Sequence, residues 1–200
     1  MKMGYLLGLQ EYLNEHYGRS VFDQALDSKK PWEFHVHGCR IIRASVLENL
    51  RYDVKLQIEG NQGQDVLPKV QIKCLYPVDV AESIRRSIKT DAKVKALGLE
   101  PIFSPHKRFF VKNKSLFPLM KEKDVVFFTL LEGEIIRGII AGFTRYDITV
   151  HSKGGKPVTI LRHSVYDFRN KKGRCFLKSF QEDHRDWEKS ALFVSEQELH

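Results

Sequence analysis

In its second half the chain alternates between short apolar runs and compact polar breaks. Val125-Val126-Phe127-Phe128-Thr129-Leu130-Leu131 is β-prone, and Glu132-Gly133-Glu134 turns it into Ile135-Ile136-Arg137-Gly138-Ile139-Ile140-Ala141, the pattern of a hairpin. Tyr146 to His151 reads as a third strand. Ser152-Lys153-Gly154-Gly155-Lys156-Pro157 reads as a loop, and Val158 to Arg162 and Val165 to Phe168 as two further strands. Gly138, inside a strand pattern, predicts a sharp bend or bulge. Ahead of the first run, Leu116, Phe117, Leu119 and Met120 give a short helix its apolar face. Ser115 is its expected N-cap, and Pro118 is expected in its first turn.

The same pattern occurs earlier. The stretch from Ile41 to Val54 aligns without gaps on Ile135 to Ile148, 94 residues further on, and six of the fourteen positions are identical. With a one-residue slip the match extends back to Gly38 and Gly133, Phe22 and Phe117, and Ser20 and Ser115; forward, it places Pro68 opposite Pro157. One small β-rich unit is therefore present twice. The expected organisation is a first domain over 1–77, a basic helical linker over 78–112, a second domain over 113–180 and an acidic tail over 181–200.

A helix followed by five short strands, the second of them bent, resembles an Sm-like, SH3-like open barrel, and the second copy is similar to the Hfq family. Leu130-Leu131-Glu132-Gly133 stands where that family has a Leu-Val-Asn-Gly-like turn, and Gly138 stands at its bend glycine. Phe143-Thr144-Arg145-Tyr146 matches its Phe-Asp-Gln-Phe segment, Leu161-Arg162-His163-Ser164-Val165 its Tyr-Lys-His-Ala-Ile motif, and Met120-Lys121-Glu122-Lys123 its basic rim. The expected fold is mainly β with short helices: two tandem Sm-like five-stranded open barrels, each preceded by an α-helix.

The resemblance implies a cytoplasmic, non-enzymatic protein, an RNA chaperone or post-transcriptional regulator that engages U-rich or A-rich single-stranded RNA. Bases stack on aromatic rings and cations follow the backbone. Tyr146 would stack a base while Arg162 and His163 hydrogen-bond it, with Phe143, Arg137, Lys121 and Lys123 completing the second copy's set. In the first copy the set is Tyr52, Arg43 and Lys73. There Lys73-Cys74 is read opposite Arg162-His163, Asn49 opposite Phe143, and Ala44 opposite Gly138, so this pocket is expected to be altered. If the family's six-membered ring holds, three chains would close it with pseudo-sixfold symmetry.

Composition is compatible with this reading. The net charge of +8 favours contact with polyanions, and residues 181–200 carry six acidic and two basic side chains, which leaves the body more basic still. Part of the tail is expected to dock through Trp187, Leu192, Phe193 and Val194. Val80 to Ile88 in the linker has the spacing of a short amphipathic helix, and Arg85, Arg86, Lys89, Lys93 and Lys95 make its surroundings basic. Three widely spaced cysteines suit a reducing compartment, and the first apolar stretch is too short for a signal peptide or membrane span.

His35, His37 and Cys39 alternate along a strand. Ligands on one straight strand diverge, so exposed strand residues are expected rather than a metal site, and no cofactor is expected. No nucleophile sits beside a base and no glycine-rich loop cradles a phosphate. Two competing classes are a protein-contact scaffold that kept the barrel and lost RNA binding, and an RNA-processing enzyme using Asp53 and Asp147 as metal ligands; turn-forming aspartates account better for the latter pair.

Overall fold

The computed structural model describes residues 4–60 and 63–195. Along the chain the elements are β1 (Gly4–Leu6), α1 (Leu9–His16), α2 (Val21–Ser28), β2 (Trp32–Val36), β3 (Arg40–Asn49), β4 (Asp53–Ile58), β5 (Gln64–Pro68), β6 (Ile72–Pro77), α3 (Ala81–Ser87), β7 (Lys89–Thr90) and α4 (Ala92–Lys95). They continue with α5 (Asn113–Lys121), β8 (Val125–Leu130), β9 (Glu134–Phe143), β10 (Asp147–His151), β11 (Pro157–Leu161), β12 (Val165–Asn170), α6 (Lys178–His184) and β13 (Phe193–Ser195). The chain is mainly β with short helices, and its sheets are open.

Both repeats fold to the same order of elements. In each, a helix precedes five strands, and a single 3-10 turn separates the fourth strand from the fifth: Lys69–Gln71 in the first copy and Arg162–Ser164 in the second. The main sheet runs β12-β8-β9-β10-β11-β6-β2-β3-β4-β5, so each copy places its fifth strand beside its first. The two halves join where β11 pairs antiparallel with β6, Thr159 opposite Leu75 and Ile160 opposite Cys74. β6 thereby becomes a central strand with its first five residues buried, and it serves two cores. Cys74 and Tyr76 pack with the second copy, whereas Ile72 and Leu75 pack with Val21, Phe22, Phe34 and Leu56 of the first.

The two long strands bend at equivalent residues. Register shifts bracket Leu47 in β3 and Ala141 in β9, which are 94 residues apart like the sequence repeat itself. Gly138 lies three residues before the second bulge and answers to a different constraint. A Cβ there would sit 2.3 Å from the His151 carbonyl oxygen and 2.4 Å from Val150 Cγ1, so glycine is needed for the close approach of β10.

Several boundaries differ from the expected ones. β1 and α1 belong to the second copy, because Leu6 and Leu9 are buried in its core and Tyr12 packs on Phe117 and Phe143. The acidic C-terminal segment docks, as expected, through Trp187, Leu192 and Phe193, and the docking extends as far as Ser195, where β13 pairs with β1. Its carboxylates are engaged locally, Asp186 with Arg174 and Lys189; the tail's last residues, 196–200, lie outside the described residues. α5 starts at Asn113, one turn's register before the expected cap. Ser115 is thus buried inside the helix with no partner for its hydroxyl, and Pro118 falls beyond the first turn. In the linker only α3 and the short α4 are α-helical, and Arg85 and Arg86 are committed to Glu33 and Glu82.

The forward end of the repeat also has a different register. β5 aligns on β11 and β6 on β12, so Pro68 stands opposite Leu161 and Gln64 opposite Pro157. Lys69, not Lys73, is consequently the counterpart of Arg162. The backbone agrees: Lys69 N–H donates to the Tyr52 carbonyl at 2.9 Å, and Arg162 N–H to the Tyr146 carbonyl at 2.9 Å.

Candidate nucleic-acid interface

The repeated Arg-Tyr-Asp triplets close the tight turns between the second and third strands of each copy. Tyr52 and Tyr146 are 70% and 53% exposed, which is unusual for rings at strand ends. The join between β6 and β11 brings both into one cleft of about 910 Å³. Each tyrosine carries its own arginine, Arg51 at 5.1 Å from the Tyr52 ring centre and Arg145 at 5.9 Å from that of Tyr146. Lys69, Arg108, Asp23 and Asp53 also line the cleft.

The floor is held by polar groups that the fold consumes. Lys69 donates to the Leu50 carbonyl and lies 5.1 Å over Phe22, and burial lowers its pKa. Asp23 caps α2, accepting from Ser20 N–H at 2.8 Å and Ser20 Oγ at 2.9 Å. Burial disfavours its charge, but these bonds and that of Asn49 outweigh it and hold the pKa below the usual carboxylate range. His163 lines the cleft and donates through Nε2 to the Ile72 carbonyl at 2.9 Å. Burial pushes its pKa down to about 4, so the ring is neutral at pH 7 and its Nε2 hydrogen is fixed by the carbonyl.

Asp147 is buried and works between copies. Its Oδ2 accepts the Val21 N–H at 2.9 Å, at the start of α2 of the first copy, and its Oδ1 accepts Thr144 Oγ1 at 2.9 Å. Burial raises its pKa in spite of both bonds. Asp147 therefore positions the two copies; among the described residues no group of three or more histidines, cysteines and carboxylates is arranged to hold a metal ion.

The other expected site residues fall into three places. Phe143 is 2% exposed, with Tyr12 hydroxyl accepting its N–H at 2.7 Å and donating to its carbonyl at 3.0 Å, so it is core and offers no stacking face. Arg162 is turned away from the cleft: Nη1 donates to the Val111 carbonyl at 3.2 Å, Nη2 to Asn113 Oδ1 at 2.9 Å, and the guanidinium lies 5.6 Å over Phe143. Lys73 is buried in the join, bound to Glu132 and Glu134 of the second copy. Phe143, Arg162 and Lys73 are thus structural here, because each has already spent its π-face or its charge on the fold.

Lys121, Lys123 and Arg137 meet in a second cleft of about 820 Å³, with His151 and Lys153 beside them. Arg43 belongs to neither cleft and pairs with buried Glu33 at 3.1 Å. His35 and His37 are buried rather than exposed. His35 shares a hydrogen bond of 2.5 Å with the Tyr76 hydroxyl, which also donates to Glu33 at 2.8 Å. Sequence reasoning missed Lys69, Arg108 and Tyr12. The residue order around the 3-10 turns was the one available signal, and it bears only on Lys69.

A scan of the chain against protein-family models finds no match, and searches of curated proteins and of solved structures find none either.

Proposed function

We propose that this chain is a tandem Sm-like, Hfq-like protein that binds single-stranded RNA without catalysing a reaction, as a chaperone or post-transcriptional regulator in the cytoplasm. One observation carries the reading: Tyr52 and Tyr146, at equivalent positions of the two copies, are both exposed in the single cleft that the join creates, each beside an arginine. Aromatic faces flanked by cations suit unpaired bases and their phosphates, and they tolerate sequence variation because every base has a π-face. The helix-first order of each copy and the bent second strand support the Sm-like part of the reading. The second cleft, with Lys121, Lys123 and Arg137, offers phosphate contacts beyond the first.

The expected three-chain ring would need a free strand edge on each side of the chain. Ring closure would use the outer edge of β12 as the join uses β6. That edge is occupied by the chain itself: Phe176 N–H donates to the Phe168 carbonyl at 2.8 Å, and Arg169 bridges to Cys175. Our reading therefore assigns the protein one tyrosine cleft per independent chain.

Titration of labelled U-rich and A-rich oligonucleotides at two salt concentrations tests the RNA reading. Affinity should fall with salt and fall about five- to hundredfold in Tyr146→Ala, the range set by one lost stacking contact. Salt-independent binding, or equal affinity of wild type and variant, would refute the assignment. Absence of RNA binding with retained protein contacts would favour the scaffold class.

A further inference from the structure

We infer that the linker between the copies supplies a third base platform, Phe103, and that Arg108 holds it over the tyrosine cleft. The inference rests on the RNA-binding reading above and extends it to a segment that neither copy contains. Phe103 is 68% exposed, yet it lines the same cleft as Tyr52 and Tyr146, together with Pro105 and Arg108. Among the described residues no ring or cation is stacked on it. Burying a phenylalanine is favourable, so a ring left open inside a cleft beside two other open rings marks a surface kept for a ligand.

The loop that presents it is built, not slack. Arg108 reaches back along its own segment, donating through Nε to the Ile102 carbonyl at 2.9 Å and through Nη2 to the Phe103 carbonyl at 3.2 Å. A 3-10 turn over Pro105–Lys107 closes the short arc between them. Downstream the segment is pinned to the second copy, where Phe109 packs edge-on against Tyr166 at 5.2 Å and the Phe110 carbonyl accepts Lys178 N–H at 2.6 Å. Arg108 lines the cleft and is in none of the carboxylate ion pairs found among the described residues, so its two bonds to carbonyls hold the loop while its charge is not neutralised by a carboxylate. Three exposed rings lining one cleft together with Arg51, Arg145 and Arg108 suit a run of three unpaired nucleotides, with the arginines as the cations for its phosphates.

The test uses the full chain and labelled single-stranded RNA hexamers of U and of A. Phe103→Ala should weaken binding about five- to hundredfold, Phe103→Tyr should bind within about twofold of wild type, and Leu97→Ala, 54% exposed in the same linker outside the cleft, should change nothing. Matching thermal midpoints show that the exposed substitutions leave the fold intact. If Phe103→Ala binds as wild type or more tightly while Tyr146→Ala loses affinity, the linker platform is overturned and the cleft reading stands. If wild type binds neither hexamer, both fall together.

Discussion

Replacing Lys73 by methionine should destabilise the protein by breaking the clamp between its copies. Lys73 lies on β6 with its side chain 1% exposed, bound to Glu132 and Glu134, whose side chains are 16% and 15% exposed. Glu132 also accepts the Gly38 N–H at 2.7 Å and the Cys39 N–H at 3.1 Å, so it cannot swing out to solvent without giving up two further bonds. Lys73→Met fits the volume but leaves two enclosed carboxylates without their cation. Removing one partner of a buried ion pair costs about 3–5 kcal/mol. With an unfolding entropy of about 2.1 cal/mol/K per residue, a chain of 200 residues should lose roughly 7–12 °C of thermal midpoint. Scanning calorimetry at pH 7 measures it. The triple variant Lys73→Met, Glu132→Gln, Glu134→Gln should recover more than half of the loss, because the uncompensated charge is gone. A midpoint shift below 2 °C for the single variant, or no recovery in the triple, would refute the clamp. Folded Lys73→Met should still bind RNA like wild type, which separates this role from the RNA contact expected from the sequence.

Gly138→Ala should cost about 1–3 kcal/mol in urea unfolding, since its Cβ would meet the His151 carbonyl oxygen at 2.3 Å and β10 would have to move; an unchanged midpoint would exclude the close approach. Acidification should weaken the fold from about pH 6.5 downward. His163 binds its proton near pH 4 in the folded chain and near 6.5 unfolded, so the unfolded state takes up more protons between those values, at a cost approaching about 3 kcal/mol by pH 4. Burial shifts His35 and His37 in the same direction, and His163→Gln should flatten the pH dependence of the midpoint measurably. Light scattering should return the mass of one chain, 23.3 kDa; a stable three-chain species would show that the Arg174–Phe176 segment leaves the β12 edge.

Local patterning alone determined the repeat and the five-strand order in each copy, and the family resemblance with the repeat singled out the two tyrosines that stand exposed. Turn glycines and apolar runs act over a few residues, and Arg-Tyr-Asp recurs unchanged at both turns. The bulge was legible to within three residues, because a glycine in a strand signals either a kink or a close approach, and here the kink is at Ala141. The register of the fourth and fifth strands was not legible. A slip by an even number of residues preserves alternation, so Pro68 was drawn to Pro157 and Lys73 took the place of Lys69.

The rest was decided by contacts far apart in the chain. Phe143 is core because α1, arriving from the other end of the molecule, places Tyr12 against it. Arg162 is spent on Val111 of the linker and Asn113 at the start of α5, and Lys73 on two glutamates of the other copy. A side chain's type states what it can bind, but only the packing of the second copy, the linker and the C-terminal segment settles whether that capacity is left for a ligand.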